Sequence, residues 1–69
     1  MKYRDFLGIL SDNGFVLDRQ RGRHRIYKGI VRGKTRLVVV SHARDSDDIR
    51  PGVLSSMIRQ SCLSKKLFR

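Results

Sequence analysis

Residues 15–40, with the sequence FVLDRQRGRHRIYKGIVRGKTRLVVV, determine the fold that the chain is expected to adopt. Apolar and polar residues alternate from Phe15 to Gln20, which predicts a half-buried strand. A second strand is predicted from His24 to Lys28. Gly22 lies between the two strands, where a tight turn needs a residue that tolerates positive φ. The first half of the segment therefore predicts a β-hairpin.

The second half of the segment predicts a third strand from Thr35 to Val40. Gly29 and Gly33 are expected to bracket a loop before that strand. Leu37 to Val40 is the most apolar run of the chain, and apolar β-branched runs are typical of buried strands. We expect this run to be the best-buried part of the sheet.

Helical periodicity flanks the predicted sheet on both sides. Residues 2–13 have apolar side chains at i, i+3, i+4 and i+7, and the Asn-Gly pair at residues 13–14 ends the helix. Residues 41–50 are polar and predict a loop. A second helix begins at Pro51, whose missing N–H has no cost in a first helical turn. Its predicted apolar positions are Leu54, Met57, Ile58 and Ser61, with Cys62 as a small core residue and Ser64 capping a last short turn.

The element order is therefore helix, three strands, helix, in a single domain covering residues 1–69. Two amphipathic helices on one face of an antiparallel three-stranded sheet leave its other face to solvent. This α+β arrangement, α-β-β-β-α, is the double-stranded-RNA-binding type of fold. A fold by itself does not assign a function.

The charge of the chain is strongly positive and unevenly distributed. Sixteen Lys and Arg residues face six acids, all of them Asp, for a formal net charge of +10. Half of the cations lie between residues 19 and 36, where there is no acid. We call residues 19–36 the basic run. Such a field attracts phosphate backbones, so RNA is the expected partner.

Other totals exclude several classes of protein. One cysteine cannot form an internal disulfide, and small secreted domains normally need several. No apolar run approaches the ~20 residues of a membrane span, so the cytoplasm is the expected location and no membrane partner is predicted. The two histidines and one cysteine lack the paired spacing of a zinc module. No metal or cofactor is therefore expected.

His24 is the residue best suited to chemistry, because it follows a glycine turn in the middle of the basic run. Histidine has an ordinary pKa near 6.5 and exchanges protons at neutral pH. Spacing alone favours a nucleic-acid contact over catalysis for a lone histidine among arginines. The expected contacts to the RNA backbone are Arg19, Arg21, Gly22, Arg23, Arg25, Lys28 and Arg36. His42, after the third strand, is a second candidate for proton transfer.

Four segments resemble those of the HicA-type toxins in order and approximate spacing: residues 13–15 (NGF), 19–27 (RQRGRHRIY), 38–42 (VVVSH) and 51–54 (PGVL). The glycine-x-histidine after NGF and RQ is the most specific of these motifs. HicA-type toxins are small proteins that cleave messenger RNA. The resemblance implies a metal-independent endoribonuclease with His24 as the catalytic residue and a HicB-type antitoxin that covers its active surface. Arg23 departs from the pattern, which usually has Ser or Thr there.

Two other classes of function fit the same composition. A non-catalytic RNA-binding module would need the basic run but no proton transfer. A basic subunit of a protein complex would need neither, and its binding to RNA would depend little on salt.

Overall fold

The computed structural model describes residues 1–41 and 44–68. Over these residues the chain forms two α-helices, a three-stranded antiparallel sheet and a short C-terminal 3-10 helix. The predicted α+β order is confirmed, and each predicted element lies within a few residues of its expected position. The elements are α1 (Tyr3–Asp12), β1 (Val16–Arg21), β2 (His24–Val31), β3 (Lys34–Ser41), α2 (Pro51–Ser61) and the 3-10 helix (Lys65–Phe68).

The sheet is a meander in the order β1-β2-β3, joined by two two-residue turns. Gly22 has a φ of 57° in the first turn, as its predicted role requires. In the second turn Arg32 and Gly33 have φ values of 54° and 75°. Positive φ at both central residues is the mark of a type I′ turn, which matches the twist of the flanking strands.

Gly29 does not bracket a loop, as the sequence suggested, but lies buried inside β2. The ring of Phe15 packs directly over it. A Cβ at residue 29 would lie 2.7 Å from ring carbons of Phe15. Glycine is therefore needed inside this strand because an aromatic ring occupies the space of a side chain. β2 continues past Gly29 to Val31, and the connection to β3 is only the two-residue turn.

The core lies between the helices and one face of the sheet. Phe6 and Leu10 of α1 are fully buried against Val38 and Val40 of β3. The chain end closes this core, since the rings of Phe6 and Phe68 stack with centroids 5.1 Å apart. Ser64 caps the 3-10 helix as predicted: its Oγ accepts a hydrogen bond from the Lys66 backbone N–H at 3.3 Å. No described helix is long and apolar enough to cross a membrane.

The burial predicted for β1 is wrong. Every residue of β1 is exposed, and the buried residue is Phe15, immediately before the strand. Leu17 pairs with Tyr27, which in turn pairs with the buried Val38, so these three side chains lie on the same face of the sheet. Leu17 nevertheless remains about half exposed. Helix α2 packs on β3, the edge strand on the other side of the sheet from β1.

The core role predicted for Cys62 is also wrong. Cys62 ends α2 in the left-handed conformation, with a φ of 58°, and is only half-buried. Its neighbour Ser61 is fully buried instead, and the Ser61 Oγ donates a hydrogen bond to the Ile58 carbonyl at 2.6 Å. The apolar stripe of α2 therefore ends at Ser61, and Cys62 turns the chain away from the helix.

The loop before α2 is bonded to the start of α1. The Tyr3 N–H donates to the Asp47 carbonyl at 3.0 Å, and the Arg4 N–H donates to the Asp45 carbonyl at 2.9 Å. The Ile49 N–H donates to the Met1 carbonyl at 2.8 Å. The first two bonds use N–H groups that the first turn of α1 leaves without an internal partner, and the third holds the loop to the residue before that helix.

Gly29→Ala should destabilise the protein by about 1–3 kcal/mol, because the new methyl group displaces the Phe15 ring from a packed core. Gly8→Ala is the matched control, since a Cβ there meets no described atom within 4 Å in an exposed part of α1. The control should raise stability by about 0.5–1 kcal/mol. Urea unfolding of the three proteins measures both effects. Equal stability of the two variants would contradict the Phe15–Gly29 contact.

Candidate nucleic-acid interface

The register of the strands separates the sheet into two faces. Tyr27 pairs with Val38 and Arg25 pairs with Val40, and both valines are fully buried. Because cross-strand partners share a face and side chains alternate along a strand, His24 lies on the opposite face. We call the face toward the helices the covered face and the other the open face. Side chains of the open face belong to Val16, Arg19, Arg21, His24, Ile26, Lys28, Ile30, Thr35, Leu37, Val39 and Ser41.

His24 is exposed and stands at the end of the open face, as the first residue of the central strand. It pairs with Arg21 of β1 on one side and with Ser41 of β3 on the other. Paired residues of antiparallel strands have Cα atoms about 4.5–5.5 Å apart. The side chain of His24 therefore projects from the sheet between those of Arg21 and Ser41. Ser41 was not expected in this position, because only the register between strands brings it there.

The turn before His24 is held by the side chain of Gln20. The Gln20 Nε2 donates a hydrogen bond to the Gly22 carbonyl at 3.1 Å. This bond restrains the two-residue turn that carries Arg23 and leads into His24. The glutamine of the RQ motif thus has a local structural role that sequence reasoning did not assign.

Four of the predicted RNA-contacting cations lie close to His24 or on its face. Arg19, Arg21 and Lys28 belong to the open face, and Arg23 is exposed in the turn. The Arg19 Nε lies 3.6 Å from the Asp18 carboxylate in an exposed pair. Exposed ion pairs of this kind contribute little, so Arg19 can exchange this partner for a phosphate at small cost.

Two of the predicted RNA-contacting cations, Arg25 and Arg36, lie on the covered face. The Arg25 Nη1 is 3.6 Å from Asp45 Oδ1, so this half-buried arginine joins β2 to the loop before α2. Arg36 pairs with Gly29 and is half-buried, and its Nε is buried without a hydrogen-bond partner among the described residues. Neither side chain shares a face with His24.

Most of the remaining open-face residues are aliphatic. Val16, Ile30, Leu37 and Val39 expose 64, 71, 45 and 42% of their surface. The expectation that β3 is the best-buried strand is confirmed by Val38 and Val40, while alternation places Leu37 and Val39 on the open face. Exposed apolar residues gathered on one face are typical of interaction surfaces. The open face thus has a cationic end around His24 and a mainly aliphatic remainder, in which Lys28 lies between Val16 and Leu37.

The aspartates of the loop before α2 have structural partners. Asp48 lies 3.7 Å from the Lys2 ammonium group, and Asp47 Oδ2 accepts a hydrogen bond from the Arg44 N–H at 3.2 Å. Asp45 pairs with Arg25. Within residues 1–41 and 44–68 no cluster of three or more His, Cys, Asp or Glu side chains could hold a metal ion. His42, the second proton-transfer candidate, lies outside the described residues.

Comparison with known proteins gives one family. The family model described as "HicA toxin of bacterial toxin-antitoxin" matches residues 3–63, from the start of α1 to just beyond α2. No curated protein and no solved structure matches the chain significantly. The match includes the hairpin with Gln20, Gly22 and His24 and extends over most of the 69 residues. The chain therefore belongs to the HicA toxin family of bacterial toxin–antitoxin systems.

Proposed function

We propose that this toxin is a metal-independent endoribonuclease that cleaves messenger RNA in the cytoplasm, with His24 as its proton-transfer residue. The observation that carries the proposal is the exposure of His24 on the open face, beside Arg21 and Arg23. An imidazole accessible to solvent, on a surface that no helix covers, can reach the ribose of a bound strand. A buried ring could not do so.

The proposed reaction needs only groups of the chain and of the RNA. The His24 imidazole takes the proton of a ribose 2′-OH, and the 2′-oxygen attacks the adjacent phosphorus. The bond from phosphorus to the 5′-oxygen breaks, and that oxygen takes a proton from the surrounding water. The products are a 2′,3′-cyclic phosphate and a 5′-hydroxyl. Arg21 and Arg23 stabilise the negative charge that builds up on the phosphoryl oxygens.

The proposed RNA contacts are those near the open face: Arg19, Arg21, Arg23 and Lys28, with the Gly22 turn admitting a phosphate close to the backbone. Arg25 and Arg36 are left out of this set because they point to the covered face. They contribute to the positive field that attracts RNA but not to its direct contacts.

We propose further that a HicB-type antitoxin covers the open face. The aliphatic residues around Ile30 offer area for a protein interface, and the cations around His24 would pair with acidic groups of the antitoxin. A partner seated on both parts would exclude RNA from His24.

A second candidate function is a non-catalytic RNA-binding module. The observation that favours it is Arg23, a cation where the family pattern has a hydroxyl residue. A cation there strengthens phosphate binding without aiding proton transfer. The two functions differ in the outcome of one substitution.

His24→Ala should reduce RNA cleavage by about 10²–10⁴-fold, because one general acid–base group is lost. RNA affinity should stay close to that of the wild type, since the arginines remain. Cleavage of a long unstructured RNA in EDTA, together with filter binding, measures both quantities.

The variant, purified in parallel, also serves as the control for contaminating nucleases. Equal cleavage by wild type and variant would remove His24 from the reaction. Binding without any cleavage by the wild type would identify the protein as an RNA-binding module.

Arg21→Ala should weaken RNA binding and lower the slope of log affinity against log salt by about 0.7–0.9, the value for one lost phosphate contact. Arg4→Ala is the matched control, because Arg4 is exposed on α1, away from the open face. Its slope should stay at the wild-type value. Identical slopes for the two variants would show that RNA does not use the open face.

Ile30→Ser should weaken binding of the antitoxin encoded with this toxin by about tenfold, because a largely exposed aliphatic anchor is lost. RNA cleavage should be unaffected. Val53→Ser is the control, since Val53 is an exposed aliphatic residue on α2. Isothermal titration calorimetry compares the two complexes. Equal affinities would place the antitoxin on another surface.

A further inference from the structure

A second concave surface lies on the helical side of the molecule. A groove of about 730 Å³ runs between α2, the 3-10 helix and the turn that joins β2 to β3. That turn is at the opposite end of β2 from His24, roughly 23 Å along the strand. The groove is therefore separate from the site proposed for RNA.

The floor of the groove is apolar. Leu54 and Ile58 lie one turn apart on α2 and are only partly buried, and Leu63 continues this surface after the helix ends. The buried Phe68 lines the groove from the 3-10 helix. These side chains offer aliphatic contacts but no exposed aromatic ring on which a base could stack.

The rim of the groove is cationic. Arg32, Arg59 and Lys65 line it from three different elements, namely the β2–β3 turn, α2 and the 3-10 helix. No acidic side chain is among its described lining residues. An apolar floor with a cationic rim selects an amphipathic ligand, whose apolar surface is flanked by negatively charged groups.

Two backbone conformations at the groove are unfavourable for their residues. Arg32 and Cys62 are the two described non-glycine residues with positive φ, and both line the groove. Asn or Gly is the usual residue at the position of Arg32 in a type I′ turn, and Gly at that of Cys62 after a helix. Residues in such strained conformations cluster at binding sites, where the contribution of the side chain to binding offsets the cost of the backbone strain.

We infer that this groove binds an acidic amphipathic helix of a protein partner. Such a helix places a row of apolar side chains on Leu54, Ile58 and Leu63 and its flanking carboxylates beside the rim cations. RNA would meet the cations but leave the apolar floor without a matching surface. The groove lies outside the open face, so its occupation does not depend on ribonuclease activity.

A designed peptide tests the inference on the full-length protein. The probe is a helical peptide of roughly four turns, with Leu at i, i+3, i+4 and i+7 and Glu on both flanks. A second peptide has Lys in place of every Glu. Titration into the ¹⁵N-labelled protein should shift the amide signals of Leu54, Ile58 and Leu63, while those of the open face stay in place.

Charge reversal gives a matched pair of variants. Lys65→Glu should weaken binding of the acidic peptide by at least about tenfold. Of the two lysines described in the 3-10 helix, only Lys65 lines the groove, so Lys66→Glu changes the net charge equally and should leave affinity unchanged. Arg32→Asn should weaken binding of the peptide, because a rim cation is lost. It should also raise the melting temperature of the protein, because Asn adopts positive φ with less strain than Arg. Weaker binding by a more stable protein cannot result from unfolding.

Several results would overturn the inference. These are equal binding of the two peptides, equal effects of Lys65→Glu and Lys66→Glu, or shifts confined to the open face. Displacement of the peptide by a non-cleavable 2′-O-methyl RNA would assign the groove to nucleic acid. Self-association through the groove would assign it to a second copy of the chain. Lack of saturable binding up to about 1 mM would exclude acidic amphipathic helices as ligands of the groove.

Discussion

The contact between the Phe15 ring and Gly29 is the constraint on which the arrangement of the sheet depends. It fixes the side of β2 that faces the core at Gly29, because a Cβ at this residue would point into the Phe15 ring. Side chains alternate strictly between the two faces along a strand. His24 is five residues before Gly29, an odd separation, so it must point away from the core. A shift of one residue in the register of β2 would turn His24 to the covered face and Tyr27 and Val31 to the open face. The packing of one ring on one glycine therefore keeps the proposed reactive residue in solvent.

The same alternation gives the two sides of the sheet different tasks. On the covered face, β3 contributes Val38 and Val40 to the core, and Arg25 joins the sheet to the loop through Asp45. The open face has no such structural duties, so its cations and aliphatic residues are available to ligands. A chain of 69 residues can form only a small hydrophobic core. An open sheet surface is accessible to a ligand without an enclosed pocket.

The element order and the hairpin at Gly22 could be predicted from the sequence, because they depend on local periodicity and turn chemistry. Gly29 was misread because a glycine in a strand and a glycine in a loop have the same local signal, and the distinguishing ring is fourteen residues away. β3 was correctly expected to be the best-buried strand, but an apolar run alone does not show that Val38 and Val40 face the helices while Leu37 and Val39 face solvent. Arg25 and Arg36 were grouped with the other cations by proximity in sequence, whereas their faces follow from register. The position of His24 after a glycine turn was predictable, but its face was not.

Contact between the His24 ring and RNA on the open face can be measured directly by NMR. A 2′-O-methyl RNA cannot be cleaved, since its 2′-oxygen has no proton to lose, and it can be titrated into the protein labelled with ¹³C. The ring signals of His24 should shift together with the side-chain signals of Arg21, while those of Tyr27 on the covered face should not. Saturable RNA binding that leaves the His24 ring signals unchanged would show that RNA binds elsewhere on the protein.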